Sequence, residues 1–217
     1  MSRAAIFDLD RTLIPGSSAR VFGQMLRDVG VDMPSLPGQR AYYGFYGRLG
    51  EDPITMRIGR YASRLFAGER VSRVEIAGQM AADVLASTLL DGAQRELERH
   101  RNENTRLLLA TSAPHELAAP FGKEAGFDDV VCTRYRSIDG RFDGTNETPY
   151  IWGRAKADAV AQWAVAAGID LTQSAAYGDS WYDVPMLQSV GQPIAVNPDL
   201  RLRLLARRRS WQRCSWR

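Results

Sequence analysis

At 217 residues, 45% apolar and 24% charged, the chain can bury a full core and suits one large domain, or a core with an inserted subdomain. It has no run of 18 apolar residues, no basic-then-apolar leader ahead of its first strand, and two cysteines, Cys132 and Cys214, without metal-type or redox-type spacing. These features weigh against a membrane-spanning, exported or disulfide-held protein and make the cytoplasm the expected compartment. The net charge of +3 is uneven, because seven arginines and no acid fall in the last seventeen residues and the rest nets −4.

The first element is the apolar run Ala4 to Phe7, a predicted strand that leads directly into Asp8, Asp10 and Thr12. In extended chain, residues two apart share a side, so Asp8 and Asp10 aim two carboxylates into one volume at the strand's carboxyl end. Such a pair is costly unless a cation, a shared proton or a reaction uses it. Residues 15 to 89 then lack a convincing strand. Segment 18–29 is amphipathic, 33–50 is rich in Pro, Gly and Tyr, and 55–67 and 71–89 are expected helices. The last has Val71, Val74, Ala77, Met80, Ala81, Val84 and Leu85 at helical spacing. This helical block would sit over the acidic strand end. Its cluster Tyr42, Tyr43, Phe45 and Tyr46 reads first as packing for the block and second as an aromatic specificity pocket.

After about residue 90, strands are expected at 105–111, 129–132, 174–177 and 192–196, alternating with helices at 114–125 and 153–168. The second of these helices carries Ala157, Val160, Ala161, Ala164 and Val165 on one face. Alternation of this kind implies an α/β fold, a doubly wound parallel sheet with the helical block inserted as a cap. Residues 134–144 break the alternation as a two-stranded hairpin turning at Asp139 and Gly140. Expected boundaries are 1–14 and 90–217 for the core and 15–89 for the cap.

Three later patches supply matching chemistry. Thr111 and Ser112 close a strand just before a helix that opens at Pro114, which places a hydroxyl and free amides around one anion-sized spot, or else forms an ordinary helix cap. Lys156 lies in a helix's first turn, where the dipole disfavours a cation without an anionic partner. It is one of only two lysines among 28 basic residues, and the other, Lys123, reads as a solvated helix-end residue. Asp179 again ends a strand, with Asp183 four residues on, although Asp179 could instead cap the turn begun by Ser180. In the tail, Leu202, Leu204 and Leu205 read as the buried side of a last helix whose arginines are solvated. The alternative is a nucleic-acid or anion-binding surface with Trp211 and Trp216 interleaved.

In that order and spacing, FDLDRTL, the strand-terminal Thr/Ser, the helix-start lysine and GDSWYDVPML resemble the four motifs of the haloacid dehalogenase superfamily. The DxDxT form of the first motif resembles that of the family's phosphatases, and GDSWYDVPML together with the SIDGRFDG hairpin is most similar to the phosphoserine-phosphatase-like branch. The resemblance implies a phosphatase of small phosphomonoesters. Asp8 would be its nucleophile, forming an aspartyl-phosphate, and Asp10 its general acid and base. It implies Mg2+ held by Asp8, the Asp10 backbone carbonyl and Asp179 with Asp183 in support, phosphoryl binding by Thr111 or its neighbour Ser112 and by Lys156, and a loop braced by Thr12. It also exposes a departure: the branch's ammonium-binding glutamate, nine residues after the nucleophile, is replaced here by Ser17, so phosphoserine is expected to be a poor substrate. A receiver-like module that only accepts a phosphoryl group would use similar aspartates, but would lack the cap and the acid/base at Asp10.

Overall fold

The computed structural model of the protein describes residues 2–31 and 59–216. Six parallel strands form one sheet in the order β3-β2-β1-β6-β7-β8. They are β1 (Ala4–Phe7), β2 (Arg106–Pro114), β3 (Asp129–Thr133), β6 (Ala175–Gly178), β7 (Gln192–Val196) and β8 (Gln212–Cys214), with the antiparallel pair β4 (Tyr135–Ile138) and β5 (Arg141–Asn146) apart from them. The helices are α1 (Ser18–Asp28), α2 (Val71–Ala86), α3 (Asp91–Asn102), α4 (His115–Glu124), α5 (Arg154–Ala167), the single turn α6 (Val184–Leu187) and α7 (Leu200–Arg208).

The sheet is parallel because both of its faces are covered, and β1 shows how alternate side chains divide between them. Ala5 and Phe7 enter a cluster with Leu97 of α3 and Leu117 and Phe121 of α4, whereas Ala4 and Ile6 enter a second with Val160 of α5, Met186 of α6 and Leu202 of α7. The chain moves outward from β1 through β2 to β3, then returns to β6 on the other side of β1. That reversal makes the carboxyl ends of β1 and β6 the crevice where ligands bind in open α/β sheets. The described part of the inserted block shares the first cluster, through Phe22 and Leu26 of α1 and Val74, Ala77 and Ala81 of α2.

The fold is the expected α/β type, and its differences from the expected elements have local causes. Strand β2 runs to Pro114 instead of stopping at Thr111, because β3 resumes pairing at Thr133 after a register shift, and Thr111 lies in the resulting irregularity. In the block's expected 55–67 helix, the described part holds a 3-10 turn at Ala62–Phe66. Its Phe66 packs against Tyr135 and Phe142 of the hairpin, whose turn at Asp139 and Gly140 has the positive φ of 49° and 73° that a two-residue hairpin loop requires. The Tyr42, Tyr43, Phe45 and Tyr46 cluster lies outside the described residues.

Apolar residues overstate the buried face of three helices. Met80 and Val84 of α2, Val165 of α5 and Leu204 of α7 are exposed, since each helix meets the core along a narrower stripe. The tail is corrected most: α7 ends at Arg208, only Leu202 of its four leucines is fully buried, and residues 212–214 form a sixth strand that covers the edge of β7.

Candidate active site

Asp8 continues the face of Ala4 and Ile6 beyond the end of β1, so its carboxylate points toward α5. There it meets Lys156, which is 1% exposed and whose Nζ donates to Asp8 Oδ1 at 2.7 Å and to Asp183 Oδ1 at 2.8 Å. A buried ammonium in the first turn of a helix opposes both the dipole and desolvation, and the two carboxylates offset that cost. Asp179 follows β6 directly. The alternative that Asp179 caps the next turn does not hold. The cap is Ser180, whose hydroxyl accepts from the Tyr182 N–H at 3.1 Å, while Asp183 Oδ2 accepts from the Ser180 N–H at 3.2 Å in a reciprocal box. Carboxylate oxygens of Asp8, Asp179 and Asp183, all buried, lie within 4.8 Å of one another.

Asp10 stands at the amino end of α1, where the Ser18 N–H donates to its Oδ1 at 2.8 Å. Burial raises its pKa above the usual carboxylate range, outweighing the Ser18 amide and hydroxyl, the Lys156 charge and the Ser17 hydroxyl, which all favour the ionised form. Ser17 is thus directed at Asp10, a role its place in the sequence did not signal.

Thr111 is buried on the neighbouring strand, its Oγ1 accepting from the Ala113 N–H at 3.1 Å, and Ser112 beside it is half-buried. Thr12 is fully buried in the loop, and its Oγ1 makes no hydrogen bond among the described residues. Two residues missed in the sequence complete the loop. Arg11 places Nε 3.2 Å from Asp179 Oδ2, and Asn197, 186 residues away, donates from Nδ2 to the Arg11 carbonyl at 3.1 Å. Their contacts are long-range and leave no periodic or spacing signal. The chemistry of the carboxylate cluster, oxygen donors only and compactly placed, suits a hard divalent cation.

The family model for haloacid dehalogenase-like hydrolase matches residues 5–188. The chain is 35% identical over 222 residues to the protein named phosphoserine phosphatase SerB1 of Mycobacterium tuberculosis, covering 98% of this chain and 70% of that one. A Bordetella pertussis protein of unknown function has a crystal structure that superposes with a TM-score of 0.80 at 28% identity, over 98% of both chains. A phosphoserine phosphatase solved as a phospho-aspartyl intermediate analogue shares the fold, with a TM-score of 0.66 at 19% identity over 99% of this chain and 93% of that one. The chain belongs to the haloacid dehalogenase-like hydrolase family. It is an enzyme of the phosphatase class within that family.

Proposed function

We propose that the protein is a magnesium-dependent phosphatase that hydrolyses a small phosphomonoester in the cytoplasm through a phosphoryl group carried on Asp8. The observation that carries this reading is the buried Lys156 ammonium shared by Asp8 and Asp183, with Asp179 in the same cluster and a protonation-prone Asp10 two residues from Asp8. In this reading residues 1–14 and 90–217 form the catalytic core, and residues 15–89 a helical cap over the site.

The chemistry follows from what each group can do. An Asp8 carboxylate oxygen attacks phosphorus; the bond from phosphorus to the ester oxygen breaks, and Asp10 gives that oxygen its proton. Water then attacks the aspartyl-phosphate, its proton passes to Asp10, and the bond between Asp8 and phosphorus breaks, releasing inorganic phosphate. Burial suits Asp10 to both roles by raising its pKa above the usual carboxylate range. Lys156 neutralises the phosphoryl oxygens, and Thr111 and Ser112 offer hydroxyls and amides to them, while Thr12 packs under the loop. Asp8, the Asp10 carbonyl and Asp179, supported by Asp183, would hold Mg2+, which supplies charge to offset the repulsion between dianion and carboxylates.

The substrate class is narrowed by Ser17. Its hydroxyl faces Asp10 and it carries no charge, so it offers nothing to balance a substrate ammonium, and phosphoserine should be turned over poorly. The test is hydrolysis of para-nitrophenyl phosphate with Mg2+ and with EDTA, followed by a panel of small phosphorylated metabolites that includes phosphoserine. Turnover that needs metal and falls at least about a thousandfold in Asp8→Asn is expected, since the nucleophile is lost. Equal turnover in EDTA or by Asp8→Asn would overturn the mechanism, and phosphoserine as the best panel member would overturn the substrate reading.

A further inference from the structure

Arg11 lies between Asp10, the candidate acid/base, and the buried Thr12, and its backbone is left-handed, with φ of 61°, a region that a residue with a long side chain rarely adopts. Its surroundings hold it there. The Arg11 carbonyl accepts from Asn197 Nδ2 at 3.1 Å, and the Arg11 N–H donates to the Gly16 carbonyl at 3.3 Å. Asn197 is itself left-handed, with φ of 43°, which its residue type tolerates. Its amide is oriented by Oδ1 accepting from the Trp216 N–H at 2.9 Å, and its own N–H donates to the Cys214 carbonyl at 3.0 Å. A line of contacts therefore runs from the chain's last strand to the loop that carries Asp10.

The pinned backbone delivers the guanidinium to the carboxylate that ends β6. Arg11 Nε is 3.2 Å from Asp179 Oδ2, with side-chain exposures of 15% and 4%. The approach is an ion pair without hydrogen-bond alignment, and Arg11 Nη1 is buried with no hydrogen-bond partner among the described residues. A nearly buried cation at a candidate metal ligand has a direct electrostatic effect on whatever that ligand binds.

We propose that Arg11 sets the charge of this site, weakening metal binding through Asp179 so that the metal-loaded site stays net positive toward a phosphate dianion. The inference rests on the metal-dependent phosphatase reading above. Three carboxylates, Asp8, Asp179 and Asp183, face two cations, Lys156 and Arg11, leaving one negative charge that a divalent cation reverses to one positive. Without Arg11 the same site would start at two negative charges and reach only neutrality when loaded. Metal would then bind more tightly and phosphate less. Asn197 acts through Arg11 as a positioning residue, by holding the backbone that presents the guanidinium.

The experiment is calorimetric. Mg2+ is titrated into EDTA-stripped wild type, Arg11→Gln and Arg11→Lys, and inorganic phosphate is titrated into each protein saturated with Mg2+, with thermal melts to check folding. Arg11→Gln should bind Mg2+ about tenfold more tightly and phosphate about tenfold more weakly, while Arg11→Lys, which keeps the charge, stays within about threefold of wild type in both. A merely structural role would weaken both ligands, and that result, or no change in either, would overturn the proposal. If Arg11→Gln does not fold, Asn197→Gly keeps the backbone permissive and removes the clamp on Arg11 together with the Trp216 hydrogen bond. Shifts of the same two signs, smaller in size, support the proposal, and unchanged affinities overturn it. A wild type that takes up no Mg2+ would overturn the metal reading itself.

Discussion

His100 on α3 shows how a buried titratable group behaves when desolvation outweighs the nearby counter-charge. Tyr177 donates its hydroxyl proton to Glu96 Oε2 at 2.7 Å, and His100 Nε2 lies 2.8 Å from the Tyr177 oxygen and 3.0 Å from Arg99 Nη2. Nδ1 is buried with no hydrogen-bond partner among the described residues. Burial together with the nearby Arg99 lowers the pKa of His100 to about 4. Glu96, Glu103 and Arg3 are the other charged groups that act on it. In the unfolded chain His100 takes its proton near pH 6.5, so between those values the unfolded state binds more protons than the folded one. Stability from this residue is complete above about pH 6.5 and falls as the pH drops toward 4, by about 3 kcal/mol at most. Urea unfolding at pH 7 and pH 4.5 should show that loss in the wild type and a smaller one in His100→Gln. An equal loss in both would show that His100 does not cause it. Lys156 is the opposite case, a buried charge kept because two carboxylates face it, and its rarity in an arginine-rich chain was a usable sequence signal.

At the scale of elements, the inserted block packs tightly on the core where α2 meets the start of α4. A Cβ built on Gly78 of α2 would lie 1.8 Å from the Glu116 carbonyl oxygen, a backbone atom that cannot turn aside. In an exposed helix Gly→Ala stabilises by about 1 kcal/mol, because alanine loses less backbone entropy. Here overpacking opposes that gain, and Gly78→Ala should destabilise the protein by about 2 kcal/mol net, measured by urea unfolding. A stabilised variant would show that α2 stands further from α4 than described. The helical period of α2 was legible in the sequence, because apolar spacing is a local property. Which of its apolar residues are buried was not. Met80 and Val84 satisfy the same period as Val74 and Ala77 but turn outward, since the contact face is set by α4 and α1 rather than by α2 alone. The bulge around Thr111 is of the same kind, because it depends on where β3 resumes pairing.

At the scale of the whole molecule, the terminal segment joins distant parts of the sheet. Strand β8 pairs with β7 from Gln212 to Cys214, and Trp216 packs its ring 5.6 Å from that of Tyr177 and against the backbone of Gly92 at the start of α3. Removing residues 211–217 uncovers the β7 edge and part of the aromatic cluster, and should lower the Tm by roughly 5–10 °C without abolishing cooperative unfolding. An unchanged melting curve would assign the segment no structural role. The amino-acid sequence alone determined the α/β fold class and singled out Asp8, Asp10, Lys156, Asp179 and Asp183 as candidates. These follow from strand ends, residue parity and charge placed against local propensity, all of which act over a few residues. Only the tertiary structure decided that Lys156 bridges Asp8 and Asp183, that Ser17 faces Asp10, that the tail forms a strand, and that Asn197 and Arg11 meet beside Asp179. The contacts of Lys156, Arg11 and Asn197 join residues 27 to 186 positions apart, and their energies depend on burial and approach that no local pattern encodes.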